Sequence, residues 1–237
     1  MPEIQQNTVK ADYIGVMAEH DYESQLQRLL NELARGEPAL LRRHLLAEPP
    51  AISVGPARGD YDLNPERRRD GTRQLAPAAV LVPIIARAEP TVLFTRRTPH
   101  LSRHAGQVSF PGGRLHADDS SLVRTALRET EEETGVAPEF VEVAGFLDCY
   151  ETGTGFAILP VVGLLRRNFV LAPDANEVEE AFEVPLAFLL EPANRERRSM
   201  EWQGRRRQFY AFTYGTHYIW GATAGILANF ADRLPRA

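Results

Sequence analysis

Residues 112–136 constrain the fold most, because they predict one helix with glycines at both ends. The segment begins with Gly112 and Gly113, and Gly135 stands where a left-handed glycine ends many helices. The helical spacing of five residues predicts which side of the helix is buried. These residues are Leu122, Val123, Ala126, Leu127 and Thr130. The N-cap candidates are Asp118, Asp119 and Ser120. A helix of about four turns is therefore expected.

Acidic residues near the end of this helix conflict with two local rules. Glu129, Glu132 and Glu133 fall on one arc beside the apolar side, whereas Glu131 falls away from them. Like charges at this spacing repel, and the helix dipole disfavours anions at the C-terminal end. A divalent cation such as Mg²⁺ would remove both penalties. The glutamates alone leave two interpretations open, a metal site and a solvated acidic face.

Two neighbouring features favour the metal site. Glycine backbone lets a loop approach a ligand closely, and Gly112 and Gly113 precede the helix. Arg128 lies four residues before Glu132, so a salt bridge could orient one carboxylate.

The segment 128–136, RETEEETGV, resembles the second half of the Nudix box. Three features differ from the general box. The stretch from Gly113 to Arg128 is one residue longer, the early glutamate is missing with Asp119 close to its place, and Thr130 is less apolar than usual. Because that early glutamate is commonly structural in the family, the resemblance still implies a metal site.

The segment before the box narrows the resemblance to one subfamily. Residues 93–98, LFTRRT, and residues 104–113, HAGQVSFPGG, are similar to the signature of coenzyme A pyrophosphatases. That subfamily has an arginine near position 102, where this chain has Ser102 followed by Arg103. Further similar segments follow the box, and the resemblance covers about residues 77–233.

The resemblance implies an α/β fold, the Nudix α/β/α sandwich with a mixed sheet, preceded here by a helical extension. It also implies Mg²⁺ or Mn²⁺ as cofactor and hydrolysis of the pyrophosphate bond of coenzyme A or acyl-CoA. The products would be 3′,5′-ADP and 4′-phosphopantetheine or its acyl form.

The implied site residues fall into three groups. The catalytic residues would be Glu132, Glu129 and Arg128, and the metal ligands would be Glu129, Glu132, Glu133 and the carbonyl of Gly113. The substrate contacts would be Arg96, Arg97, Arg103, His104, Gln107 and Phe110.

Three alternatives remain open at this point. The substrate could be another nucleotide diphosphate derivative, such as ADP-ribose or NADH. The protein could bind nucleotides as a regulator without turnover. It could also hydrolyse RNA ends with the arginines at 195, 197, 198 and 205–207, although the run lacks interleaved stacking aromatics. No nucleic-acid partner is expected.

The rest of the chain predicts an appended extension and an α/β domain. Residues 1–73 are interpreted as a helical extension and linker, with helices at 22–34 and 38–46, and residues 74–237 as the Nudix hydrolase domain. The extension is expected to pack on the domain, with a homodimer contact as the alternative. Predicted strands are 76–86, 91–96, 141–150, 157–165, 208–214 and 217–220, and a closing helix spans 222–234. Pro83 predicts a bulge or an edge.

Composition limits the remaining classes. The formal charge of −5 gives no general argument for nucleic acid, and no stretch is apolar enough for a membrane span. No secretory signal is recognised, so a cytoplasmic location is expected. The single cysteine, Cys149, is interpreted as a buried inert thiol in a strand. An acid from the cluster Glu177, Glu179 and Glu180 is a candidate base or extra ligand, and a solvated loop is the alternative.

Overall fold

The computed structural model describes residues 21–52, 56–67, 75–100, 105–166, 168–202 and 204–234. The helices are α1 (residues 21–34), α2 (Ala39–Arg42), α3 (Leu122–Thr134), α4 (Leu186–Leu190) and α5 (Ala222–Arg233). The strands are β1 (Arg58–Gly59), β2 (Ala76–Ile85), β3 (Thr91–Arg97), β4 (Val108–Ser109), β5 (Gly112–Arg114), β6 (Val141–Phe146), β7 (Tyr150–Glu151), β8 (Phe156–Leu165), β9 (Val178–Pro185), β10 (Glu196–Trp202), β11 (Arg205–Tyr214) and β12 (His217–Trp220).

In the described part of the chain, nine strands form one mixed sheet. Its main path is β1-β7-β8-β2-β3-β4, and β5, β6 and β9 pair with β2, β8 and β3. The central strands β2 and β8 run parallel along their whole length, from Ala76 beside Phe156 to Ile85 beside Leu165. The flanking pairs of β2 and β8 with β3, β5, β6 and β7 are antiparallel.

Side chains of β2 alternate between two hydrophobic cores. Ala79, Leu81 and Ile85 pack on the side of α3, and Val82 and Ile84 pack on the side of α1 and α5. A strand that is covered on both faces needs an unbroken apolar sequence, which explains the run at 76–86. Helices therefore lie on both faces of a mixed sheet, and the predicted α/β/α sandwich is confirmed.

Pro83 lies in a central strand and is tolerated for a local reason. On one side it is in register with Gly163 of β8. On the other side, the pairing of β2 with β5 ends at Val80, and its pairing with β3 begins at Ile84. Pro83 therefore falls between two partners, in a short stretch of strand edge, where a missing N–H breaks no ladder bond.

Several predicted elements have different bounds in the structure. The strand expected at 141–150 is divided into β6 and β7, because the chain leaves the ladder after Phe146. Cys149 lies in the gap between them, buried but not in a strand. Helix α2 spans four residues, which is shorter than the predicted 38–46. Glu179 and Glu180, for which a solvated loop was one interpretation, lie in β9 (Val178–Pro185), a strand that was not predicted, and residues 196–202 add β10 to the expected hairpin.

The residues before β2 pack on the rest of the protein. Leu33 of α1 and Leu41 of α2 are fully buried in the core that contains α5. Strand β1 extends the main sheet by pairing with β7. Asn64 is buried and exchanges hydrogen bonds with the backbone of Gln208 in β11. The domain division at residues 73 and 74 stays a prediction.

Among the described residues, no helix has both the length and the apolar character that crossing a membrane requires.

Candidate active site

Helix α3 begins and ends through local hydrogen bonds. The N-cap is Ser121, whose hydroxyl accepts from the Arg124 N–H at 3.2 Å, so Asp118, Asp119 and Ser120 were the wrong candidates. The predicted C-terminal glycine is confirmed, because Gly135 has φ 74° and donates to the Glu131 carbonyl at 2.8 Å.

The predicted buried side of α3 is also confirmed. Ala126 and Thr130 are fully buried, and Leu122, Val123 and Leu127 pack partly buried against the same core. Thr130 satisfies its hydroxyl by donating to the Ala126 carbonyl at 2.7 Å, so a polar residue is accommodated on this face.

Arg128 connects the acidic residues around the start and end of the helix. Its guanidinium donates to Glu132 Oε2 at 2.8 Å, which confirms the predicted i, i+4 pair, and to Glu129 Oε1 at 2.9 Å. These contacts raise the pKa of Arg128 further, with the hydrogen bond to Asp119 as the largest cause. One arginine thus offsets the repulsion between two of the site carboxylates.

Asp119 holds Arg128 in place from the loop before α3. Its two carboxylate oxygens accept from Nε and Nη2 of Arg128 at 3.0 and 2.9 Å, a bidentate geometry that fixes the guanidinium plane. The His116 N–H and the Thr125 hydroxyl also donate to Asp119. The hydrogen bond from Arg128 is the main reason that the pKa of Asp119 lies well below its usual range. Asp119 therefore has a positioning role.

Glu133 is the most buried of the three predicted glutamate ligands, with 5% of its side chain exposed. Its closest cation is Arg97 of β3, with Nη1 3.7 Å from Oε1, and the Thr95 hydroxyl lies 3.4 Å from Oε2. Burial raises the pKa of Glu133 to about 8, opposed by Arg97 and reinforced by the charges of Glu129 and Glu177. The ionised form therefore needs more positive charge than the described residues supply.

Gly112 and Gly113 are required because the backbone of β5 lies too close to its neighbours for a side chain at either position. A Cβ on Gly113 would overlap the carboxyl group of Glu129. Gly112 has φ 153°, and a Cβ there would overlap the backbone of Ala79 and Val80. Glu129 itself is partly buried against this strand, and that burial raises its pKa, with Arg128 opposing the effect. The Gly113 backbone thus lies directly beside a site carboxylate.

Strand β3 separates the two arginines of the upstream segment. Thr95 and Arg97 face α3, as their contacts with Glu133 show. Arg96 points to the other face of the sheet, where it pairs with Glu179 at 3.3 Å and Glu180 at 2.9 Å. Only Arg97 is therefore brought to the carboxylates of α3.

The other predicted substrate contacts are less central or lie outside the described residues. Phe110 is 2% exposed and stacks on Phe94 at 5.0 Å, so it supports the core under the loop. Gln107 directly precedes β4 and lies beside the last residue of β3, because its carbonyl accepts from the Arg97 N–H at 3.0 Å. Arg103 and His104 fall outside the described residues.

Glu177 is the acid of the second cluster that reaches the site electrostatically. Its charge raises the pKa of both Glu129 and Glu133, whereas Glu179 and Glu180 are paired with Arg96. The turn before β9 is fixed, because the Thr98 N–H donates to the Glu177 carbonyl at 2.9 Å. The sequence did not separate these three acids, since the distinction depends on the pairing of β9 with β3.

The carboxylates fit a divalent cation by their chemistry. Glu129, Glu133 and Glu177 repel one another in a partly buried setting, and carboxylate oxygens are the ligands that Mg²⁺ and Mn²⁺ accept. Within the described ranges, no three acidic, histidine or cysteine side chains already stand at metal-binding positions. Arg128 spans Glu129 and Glu132 instead.

The fold and the site together define a class of protein. It is an α/β/α sandwich in which one helix presents several carboxylates beside a glycine strand, an arrangement suited to divalent cations and phosphate chemistry.

The family model and the relatives of similar sequence agree with this class. The model of the Nudix domain matches residues 75–203. A protein of Yersinia enterocolitica named "Uncharacterized Nudix hydrolase NudL" is 41% identical over 157 residues, which are 66% of this chain and 80% of that protein. The Yersinia pestis protein of the same name is also 41% identical, over 79% of its length. A solved MutT/nudix family protein from Enterococcus faecalis aligns with TM-score 0.44 and 17% identity, covering 71% of this chain and 65% of that one.

The chain therefore belongs to the Nudix hydrolase family. It is a pyrophosphohydrolase, and members of this family act on small nucleotide substrates and generally use divalent metal ions.

Proposed function

We propose that this protein hydrolyses the pyrophosphate bond of coenzyme A or acyl-CoA, with Mg²⁺ or Mn²⁺. The observation that carries the proposal is the approach of Arg97 to Glu133 at 3.7 Å. Arg97 belongs to the upstream segment that resembles coenzyme A pyrophosphatases, and Glu133 belongs to the box. The segment that would select the substrate therefore lies against the group that would act on it.

Glu129, Glu132, Glu133 and the carbonyl of Gly113 are the proposed metal ligands. Bound there, the cation would neutralise diphosphate oxygens and make an attacking water more acidic. The negative charge of the three carboxylates would be balanced at the same time, which removes the repulsion described above.

Arg128 has the proposed role of orienting the ligands. Asp119 holds it from one side, and it holds Glu129 and Glu132 on the other. Arg97 lies 3.7 Å from Glu133, and with a cation on that carboxylate its guanidinium would be free to bind a phosphate oxygen.

In the proposed reaction, water attacks one phosphorus atom of the diphosphate. A P–O bond to the water oxygen forms, and the bond from that phosphorus to the bridging oxygen breaks. The leaving group departs as a phosphate monoester, and a carboxylate takes the proton of the water. The proposed proton acceptor is one of the glutamates of α3 or the loop acid Glu177, whose charge raises the pKa of Glu129 and Glu133.

A substrate panel tests the proposal. The protein is incubated with Mg²⁺ or Mn²⁺ and coenzyme A, ADP-ribose, NADH or capped RNA, and products are separated by chromatography. We expect release of 3′,5′-ADP and 4′-phosphopantetheine from coenzyme A at the highest kcat/KM. Fast cleavage of ADP-ribose without release of 3′,5′-ADP from coenzyme A would overturn the substrate assignment.

Two matched variants test the roles of the helix acids. Glu133→Gln is expected to lower turnover by orders of magnitude, because it removes a ligand and its charge. Glu131→Gln removes the same charge from an exposed position on the same helix, and it should leave turnover close to wild type. Equal activity of both variants would mean that the metal assignment is wrong. The cytoplasmic location and a homodimer remain predictions.

A further inference from the structure

Arg114 and Phe156 form a small polar-aromatic shelf next to the glycine pair. The guanidinium carbon of Arg114 lies 4.8 Å from the centre of the Phe156 ring, in a cation–π geometry. Arg114 is exposed, and it directly follows Gly113 in β5.

The shelf lies on the sheet face opposite α3. Gly113 is in register with Ala79 and faces Glu129, so the next residue, Arg114, points the other way. Arg114 of β5 and Phe156 of β8 lie on either side of β2. In β2, Ala78 is in register with Arg114 and Ala76 is in register with Phe156. These small side chains leave room for the guanidinium.

The outer edge of β5 offers a path between the carboxylates and the Arg114–Phe156 pair. In the described part of the chain, β5 pairs with β2 and has no strand on its other side. A diphosphate beside Gly113 would therefore lie at this open edge. The backbone of Arg114 is one strand residue further along, which is roughly 3.4 Å.

The ring of Phe156 is held on a fixed turn. The Thr152 N–H donates to the Phe156 carbonyl at 2.9 Å, and the Phe156 N–H donates to the Thr152 hydroxyl at 3.0 Å. Asp60, from the segment before the domain, accepts from the Gly153 N–H at 2.8 Å. Hydrogen bonds to Thr152 and from Gly153 to Asp60 thus fix the turn that carries the Phe156 ring.

Among the described arginines of β3, β5 and α3 that are discussed above, Arg114 differs in having no acidic partner. Arg96, Arg97 and Arg128 each lie against a glutamate. Arg114 makes no ion pair within the ranges that the structure describes, and its guanidinium lies over the Phe156 ring. A dianionic phosphate would find a pre-oriented partner there.

We infer that Arg114, held by Phe156, binds a phosphate monoester on the nucleoside side of the cleaved bond. This inference rests on the proposed function. The phosphate that Arg114 would bind is the 3′-phosphate of the 3′,5′-ADP half of the substrate. Compounds that lack this phosphate share the diphosphate site but leave Arg114 unused.

Binding of two nucleotides that differ by one phosphate tests the inference without turnover. Calorimetry measures the Kd of 3′,5′-ADP and of 5′-AMP for the full-length protein. Wild type should bind 3′,5′-ADP more tightly, and Arg114→Gln should weaken it roughly tenfold to hundredfold while changing 5′-AMP by less than about threefold. Arg114→Lys should recover part of the preference, because it restores the charge without the fork.

Arg166→Gln is the matched control. Arg166 is exposed and directly follows the opposite end of β8 from Phe156, so the same change of charge should leave both Kd values unaltered. Thermal melts confirm that the variants are folded. An unchanged preference in Arg114→Gln, or an equal loss for both nucleotides, overturns the inference. Failure to release 3′,5′-ADP from coenzyme A, with the nucleotide preference intact, overturns the proposed function instead.

Discussion

Replacing Glu133 by glutamine should stabilise the metal-free protein while abolishing its activity. The carboxyl group is buried, with Arg97 3.7 Å away and the charges of Glu129 and Glu177 near it. Its ionised form is unfavourable without a cation, and a neutral amide of the same shape removes that penalty.

The magnitude follows from the pKa. Burial raises the pKa of Glu133 from 4.5 to about 8. Between these values the folded state binds the proton that the unfolded state has released, so stability falls as pH rises from about 4.5 to about 8. At about 1.4 kcal/mol for each pH unit, the upper limit of this loss is about 5 kcal/mol. Below pH 4.5 the carboxyl is protonated in both states, and the penalty vanishes.

Urea unfolding in EDTA measures the effect at pH 5 and pH 8. Wild type should lose stability between these values, and Glu133→Gln should lose less and be the more stable protein at pH 8. Added Mg²⁺ should raise the stability of wild type much more than that of the variant.

Glu132→Gln is the matched control, because it removes the same charge from a side chain that is 58% exposed. Exposed charges contribute at most about 1 kcal/mol, so its pH dependence should follow wild type. If Glu133→Gln is no more stable than wild type at pH 8 in EDTA, or if both variants gain equally, the reasoning about the buried carboxylate is refuted.

Three further predictions concern the support of the site and the core. Asp119→Asn leaves Arg128 without its bidentate partner, so we expect a loss of roughly 3 kcal/mol in urea unfolding and a lower kcat; a fully active, equally stable variant would contradict the positioning role. Leu33→Ala should cost about 2–5 kcal/mol, because this side chain of α1 is fully buried; a loss below about 1 kcal/mol would show that the extension does not pack on the domain. Burial raises the pKa of Cys149 to about 11, so a maleimide at pH 8 should modify the native thiol far more slowly than the thiol in urea, and equal rates would argue against the buried position.

The sequence determined features that depend on neighbours along the chain. The buried side of α3, its terminal Gly135 and the pair between Arg128 and Glu132 all follow from helical spacing over a few residues. The continuous apolar run at 76–86 likewise predicted the strand β2, which the structure covers on both faces. Local geometry repeats regularly in helices and strands, so a short window of sequence carries this information.

The same local reasoning failed where hydrogen-bond partners come from distant segments. Strand β9 has a polar, acidic first half, and its place in the sheet results from pairing with β3. The N-cap candidates Asp118, Asp119 and Ser120 lie one to three residues before the actual N-cap, Ser121, and the Asp119 carboxylate is instead used by Arg128 and Thr125. A polar side chain can serve several partners equally well, and sequence spacing does not rank them.

Only the tertiary structure decided which charges belong to the site. Alternation along β3 brings Arg97 to Glu133 and takes Arg96 to the opposite face, where it pairs with Glu180. The turn before β9 brings the charge of Glu177 toward Glu129 and Glu133. Charges act through space, over distances shorter than the separation of the sheet faces, so their partners depend on how the strands are ordered and registered.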